Sequence, residues 1–474
     1  MLAPRTAFLL LLVTCCPQVR ATAADVVVVC PPRFRQALGP WLSYRRAEGY
    51  EIELIGGGPT AADVRRRVRR VAATGSLQAV VLVGDCDARP DDGSRESVPT
   101  TYVAADAIPR YGGEQEIATD NAYGDLDGDH IPDVAVGRLS VEDPQQLATI
   151  VRKIIAYETS QDFGPWRRQI NLVAGGGGFG PLVDGLIEHT TRVFLAGGIP
   201  AAYHTSLTHA SWTSPYCPDP RKFSQTTLER LNEGCLFWIY MGHGRPHALD
   251  HVNLPDRSFP ILTTHDLARL ACPSPGPVAL FISCYAGAFD APQACLAEQM
   301  VRHPRGPVAV VAGSRLTLPY AMAVLGAGLM TECFQSQRPT LGELLVRAKQ
   351  RAAALQPPDA RRAALDSLGR LFSGSREEMA GQRRDHLHLF NLVGDPLLRL
   401  YYPQPVRLEV PPTASPGETI TVTGHTPLAG RATLELVVRR DRLTFSPPPR
   451  KTYQPQEKFL ADFDEVYRQA NDPQ

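Results

Sequence analysis

Two residues in this chain stand where covalent chemistry would need them. The apolar run Cys235-Leu-Phe-Trp-Ile-Tyr-Met-Gly ends on His243-Gly244, and Val278-Ala-Leu-Phe-Ile-Ser ends on Cys284-Tyr-Ala-Gly287. Continuous apolar runs rich in β-branched and aromatic residues, stopped by glycine, read as strands buried on both faces. In an open α/β sheet the carboxyl ends of such strands form the ligand crevice. One crevice would then hold an imidazole and a thiol, the pair needed for thiolate attack on a carbonyl. An unassisted thiol is only a few per cent thiolate near neutral pH, and a neighbouring imidazole raises that fraction. Gly244 lets backbone approach a substrate closely, and its N–H with that of Cys284 could form an oxyanion hole. Taken singly, Cys284 is more often a core thiol and His243 a loop histidine. Two such residues, each ending a buried strand beside glycine, shift the balance toward a nucleophile and its base.

The elements around them alternate. Asp25-Val-Val-Val-Val-Cys30, Tyr50–Ile55, Gln78–Asp85, Gln169–Ala174, Pro275–Cys284 and Gly306–Ser314 read as strands. Helical spacing occupies Phe34–Ala47, Ala61–Ala73, Pro144–Ser160, Leu182–Leu195, Gln225–Asn232, Gln293–Arg302 and Leu341–Leu355. Strands and helices in alternation with short connections predict a doubly wound, mostly parallel α/β sheet. Gln161–Trp166 reads as a hinge between two halves, and Pro357–Arg384 as a charged, mobile excursion. Beyond Tyr402, Val406–Val410, Thr419–Thr423 and Ala432–Val438 alternate apolar and polar residues between Pro/Gly turns, which starts a β-sandwich. Gln456–Asn471 is polar and helix-like.

A second constellation is acidic. Asp125, Asp127, Asp129 and Asp133 alternate along a glycine-bearing loop, and close carboxylates repel unless a cation neutralises them. The spacing is not that of an EF-hand: Gly128 is fourth in the loop, and Val136 stands where a twelfth-position Glu belongs. The expectation is a structural Ca²⁺ site, with a solvated turn closed by Asx hydrogen bonds as its alternative. The glycine run Gly175–Gly178 follows a strand, but no Lys-Ser/Thr comes after it, which argues against a P-loop. Arg65, Arg66, Arg67, Arg69 and Arg70 crowd one helix, which reads as a solvated face rather than a nucleic-acid patch.

The ordered motifs resemble one family. Tyr240-Met-Gly-His243-Gly244 with Ser283-Cys284-Tyr-Ala-Gly-Ala-Phe-Asp290 is similar to the gingipain-type cysteine peptidases. Val81-Leu-Val-Gly-Asp85, Tyr123–Arg138, Gly306–Ser314 and Phe390–Arg399 extend the likeness over roughly Asp25 to Tyr402. The resemblance implies a caspase-like fold in two packed halves, 24–160 and a catalytic 161–402, followed by an immunoglobulin-like region, 403–474, that is short for a full sandwich. It implies His243 as general base and then acid, and Cys284 as nucleophile of a secreted endopeptidase. It places Asp184 at the base of the P1 pocket, where a carboxylate would favour arginine, although an acid there also suits a helix start. The family's acid supporting the histidine aligns with Gly175, so another carboxylate must orient His243 or the pair works unassisted. The rival expectation is a catalytically silent, calcium-binding surface or adhesion protein on the same fold.

Composition sets the remaining bounds. The chain has 474 residues, enough for two or three domains, and its 49 basic residues balance 49 acidic ones, so no global field steers it to nucleic acid or anionic membrane. Residues 1–23 carry a basic start, a short apolar run and Ala21-Thr-Ala23, the pattern of a secretory signal peptide. Leu12-Val-Thr-Cys15 makes lipid anchoring the second choice. No run reaches the ~18 apolar residues of a membrane span. Ten cysteines show no zinc-ligand spacing and no disulfide-dense pattern, and no organic cofactor is implied. The partners expected are protein or peptide substrates.

Overall fold

The valines of β1 (Val26–Val29) are fully buried, as four β-branched residues in a row predict for a strand covered on both faces. The structure, a computed structural model, describes residues 24–86, 97–177, 198–200, 202–273, 276–371, 375–403, 406–426, 429–436, 450 and 452–471. The signal-like segment, the Leu182–Leu195 helix and Asp184 lie outside the described residues.

In chain order the strands that follow are β2 (Ile52–Ile55), β3 (Ala79–Val83), β4 (Thr101–Ala104), β5 (Glu116–Thr119), β6 (Ala135–Leu139), β7 (Gln169–Ala174), β8 (His204–His209) and β9 (Phe237–Met241). Short hairpin strands β10 (Gly244–Arg245), β11 (Ala248–Leu249), β12 (His251–Asn253) and β13 (Ser258–Pro260) precede β14 (Val278–Ile282), β15 (Ala309–Gly313) and β16 (Phe390–Val393). Ten of them form one sheet in the order β2-β1-β3-β6-β16-β15-β14-β9-β7-β8.

The expectation of two packed halves is corrected here. The halves lie side by side in this sheet, and β16 joins them. It runs parallel to β6 but antiparallel to β15. Each half is a parallel set, and the two sets point in opposite directions. Their carboxyl ends therefore lie on opposite edges of the sheet.

Helices α1 (Arg35–Ala47), α2 (Ala61–Ala72) and α3 (Pro144–Thr159) belong to the amino-terminal half. Thr60 and Asp143 cap the last two by accepting backbone N–H bonds. A buried ionic knot ties α1 and α3 to the end of β16. Arg45 donates to Glu158 (2.8 Å) and Asp395 (2.6 Å), all three side chains are fully buried, and Trp41 Nε1 donates to Asp395 as well.

Helices α4 (Phe223–Asn232), α5 (Leu296–Arg302), α6 (Pro319–Phe334), α7 (Leu341–Ala353), α8 (Ala360–Gly369) and α9 (Arg376–Leu389) belong to the second half. Sequence reading passed over α6 because it is apolar all round and shows no amphipathic stripe; such helices are buried, as this one is. The described residues of Pro357–Arg384 form no loose excursion but α8 and most of α9. Their charges are spent on packing: Arg362 pairs with Asp366 and Arg383 donates to the Tyr320 hydroxyl, and just beyond them Asp385 accepts the N–H groups of Asp106, Ala107 and Ile108.

The carboxyl-terminal region shows β17 (Arg407–Glu409) paired with β18 (Thr423–His425), both exposed; Ala432–Leu436 forms no strand. A sandwich is not seen among the described residues. The helix expected near the end is α10 (Glu457–Asn471), and it docks on the edge strand β8.

Candidate active site

β9 and β14 are neighbours in the sheet, in a register that pairs Met241 with Ile282. Two residues further on, His243 and Cys284 leave the same edge side by side, both half-buried. The register thus brings the two expected residues to one edge of the sheet. Gly244 is required there by space: a Cβ at this position would stand 2.4 Å from the Cys284 carbonyl oxygen and 2.7 Å from Ser283 Oγ. The two residues expected to supply oxyanion donors, Gly244 and Cys284, are accordingly in backbone contact.

The backbone after the thiol is strained. Tyr285 has φ +54°, and the Ala286 N–H donates across it to the Cys284 carbonyl at 2.6 Å. A three-residue turn with positive φ at its centre is a rare and costly form for a residue with a side chain. Surrounding bonds hold it in place: the Tyr285 N–H donates to the Arg315 carbonyl and its hydroxyl to Glu114 (3.0 Å). Asp290 beyond it is clamped by both guanidinium nitrogens of Arg315 and by the Tyr102 hydroxyl. The effect is to turn the chain sharply after Cys284 at the lip of the sheet.

Sequence reasoning missed Thr317. Its N–H donates to Cys284 Sγ at 3.2 Å and its hydroxyl lies 3.3 Å from the same sulfur. The two contacts fix the position of the sulfur. The loop that carries Thr317 is anchored from α9, where His386 Nε2 accepts the Leu318 N–H (2.9 Å) while Nδ1 meets the Gln382 carbonyl (2.7 Å). Burial lowers the His386 pKa to about 4, which keeps the ring neutral and Nε2 free to accept. The available signal was positional: Thr317 follows the end of β15, the strand beside β14.

On the other side, Tyr240 and Asp250 flank the histidine loop. The buried Tyr240 hydroxyl donates to the His243 carbonyl (2.6 Å) and accepts the Asp250 N–H (3.3 Å). Burial first, and then the Asp250 charge, push this phenol well above its ordinary value, so it stays protonated and donating. Gly175 N–H bonds to the Met241 carbonyl at 2.7 Å.

The acidic loop lies apart, in the amino-terminal half. Asp125, Asp127 and Asp133 offer oxygens within 4.8 Å of one another; Asp129 is outside that group. Three oxygens so grouped suit a hard cation such as Ca²⁺. Part of the charge is already met, since Arg65 pairs with Asp125 at 2.7 Å and Arg69 donates to its carbonyl. Asx bonds also run from the Gly128, Asp129, Ile131 and Leu126 N–H groups to Asp125, Asp127, Asp129 and Asp133 respectively. The arginine-rich helix α2 thus spends two of its guanidinium groups on this loop.

Comparison with known proteins bears on the whole arrangement. The model of peptidase family C25 matches residues 20–401. Lys-gingipain of Porphyromonas gingivalis is 22% identical over 293 residues, covering 59% of this chain and 15% of that protein. Gingipain R2 of Porphyromonas gingivalis W83 is 23% identical over 331 residues, 66% of this chain and 40% of that protein. The chain therefore spans less than half the length of these relatives. The solved structure of the Arg-specific cysteine proteinase gingipain R superposes with a TM-score of 0.58 at 16% identity, covering 85% of each chain, a likeness of fold. With the family match running through both halves of the sheet, the chain belongs to peptidase family C25, the gingipain-like cysteine peptidases.

Proposed function

We propose that the chain is a secreted cysteine endopeptidase whose reacting pair is His243 and Cys284. The observation that carries this reading is the β9–β14 register, which delivers imidazole and thiol together to one edge of the sheet. His243 takes the thiol proton as Cys284 Sγ attacks the scissile carbonyl carbon. The carbonyl oxygen becomes an oxyanion, held by the N–H groups of Gly244 and Cys284. Collapse breaks the C–N bond, and His243 returns the proton to the departing amine, leaving a thioester on Cys284. Water, deprotonated by His243, then attacks the thioester and frees the acid and the thiol.

Thr317 holds the sulfur in place through its N–H and hydroxyl, and the strained Tyr285 turn presents it. Arginine at P1 is the preferred residue in this reading, through Asp184. The names of the relatives include both lysine and arginine gingipains. A carboxylate would bind a guanidinium by paired bonds and an ammonium as a point charge.

Hydrolysis of fluorogenic peptides that differ only at P1 tests both levels. Turnover should vanish in Cys284→Ala and in His243→Ala, with circular dichroism unchanged. Near-full turnover in folded Cys284→Ala would end the proposal. Equal rates on P1-Arg and P1-Leu peptides would end the arginine preference alone.

A further inference from the structure

We propose that Asp250 is the carboxylate that positions the His243 imidazole. The inference rests on the peptidase reading and adds the residue that reading lacks. Asp250 stands between β11 and β12, and each of its polar groups is bonded. Its N–H donates to the Tyr240 hydroxyl, its carbonyl accepts the Ile261 N–H at 2.8 Å, Oδ1 accepts the His251 N–H at 2.8 Å, and Oδ2 accepts the Gly176 N–H at 3.1 Å. With its backbone bonded at both ends and each carboxylate oxygen accepting one N–H, the half-buried side chain is fixed in place rather than free to rotate.

What it is held against is the turn that carries His243. The Tyr240 hydroxyl is shared between the Asp250 N–H and the His243 carbonyl, so one buried group sets the spacing of the two residues. The carboxylate occupies the room left by an absent side chain. A Cβ on Gly175 would sit 3.1 Å from Asp250 Oδ2, 3.1 Å from the Tyr240 oxygen and 3.0 Å from the Cα of Gly242, the residue before His243. Asp250 Oδ2 and the histidine turn thus border one small space, which glycine at 175 leaves open. The carboxylate enters it from the β11–β12 junction instead of from the end of β7.

A carboxylate beside a catalytic imidazole fixes its tautomer and stabilises the imidazolium formed when it takes the nucleophile's proton. A structural role would need only an acceptor for the Gly176 and His251 N–H groups. Asparagine keeps an acceptor and loses the charge, which separates the two roles.

The test uses the full chain. In Asp250→Asn, kcat on a peptide substrate should fall about tenfold or more with KM within twofold. Alkylation of Cys284 by iodoacetamide near neutral pH should slow in parallel, and Asp250→Glu should recover part of both. Alkylation needs no peptide, so it judges Asp250 even if the chain cleaves none of the substrates tried, an outcome that would count against the peptidase reading instead. Wild-type kcat and alkylation rates in folded Asp250→Asn would overturn the proposal. Should that variant not fold, Tyr240→Phe decides: it removes the shared hydroxyl, and unchanged rates there would overturn the proposal equally.

Discussion

The two carboxyl edges of the sheet are written in similar sequence and finished in opposite ways. At the edge where the amino-terminal strands end, β3 runs into Gly84-Asp85 and the joining strand β16 into Gly394-Asp395, much as β9 runs into Gly242-His243 at the other. At the first edge the polar residues are consumed. Asp395 and Glu158 close on Arg45, Arg302 reaches Asp85, Glu142 and Glu298, and Arg138 grips Asp120 and the carbonyls of Gly84 and Val98. At the second edge His243 and Cys284 stay half-exposed, and the backbone after the thiol is strained. A strand that ends on glycine and a polar residue is thus an opening in the sheet; whether it becomes a lock or a site depends on what the neighbouring elements bring to it.

Paired substitutions should break this contrast most visibly. Cys284→Ala should cost all turnover and little stability, because the thiol is half-exposed and bonded only to Thr317. Arg45→Met should do the reverse. It leaves the fully buried Asp395 without its cation, while Glu158 keeps Arg399, and leaving a buried charge unpaired costs about 3–5 kcal/mol. Chemical denaturation and kcat, measured on both variants, check the pair. Loss of kcat in folded Arg45→Met would show that the two edges are coupled.

A smaller effect is expected at the acidic loop. Calcium at a hundredfold excess over Kd should stabilise the fold by about 2.7 kcal/mol, and Asp127→Ala should remove that gain. A melting temperature that ignores millimolar Ca²⁺ and chelator alike would leave the loop as a turn neutralised by Arg65.

The smallest effect concerns Glu298 at the locked edge. Burial, with the Asp85 charge added, raises its pKa to about 7 from an ordinary 4.5. The folded state then holds a proton that the unfolded state has lost, so this group's contribution is present below pH 4.5 and is lost as pH rises through about 7. Glu298→Gln should remove that slope, a difference on the order of 2 kcal/mol between pH 5 and 8. Parallel stability profiles for the two proteins would mean the carboxylate ionises normally.

His243, Cys284 and most strands were legible because each announces itself locally, as an apolar run stopped by glycine. Thr317 and Asp250 were not, since each reaches the site through a fold-dependent contact from another element. The join at β16 was hidden for a related reason: Phe390–Val393 stands out only as part of a motif, and pairing alone reveals the strand and its direction. The charged stretch Pro357–Arg384 misled because polarity was taken for exposure, whereas Arg383 and Arg362 have their partners inside the fold.

One detail at the far end of the sheet has a bearing on self-association. β8 is an edge strand, and the Asn471 side chain of α10 meets Leu207 as a neighbouring strand would, accepting its N–H (2.8 Å) and donating to its carbonyl (3.0 Å). Tyr467 reaches Thr208 alongside. An open edge of unpaired amides invites other chains to add to the sheet. By spending a single primary amide on that rung, the helix denies the growing point to a second molecule.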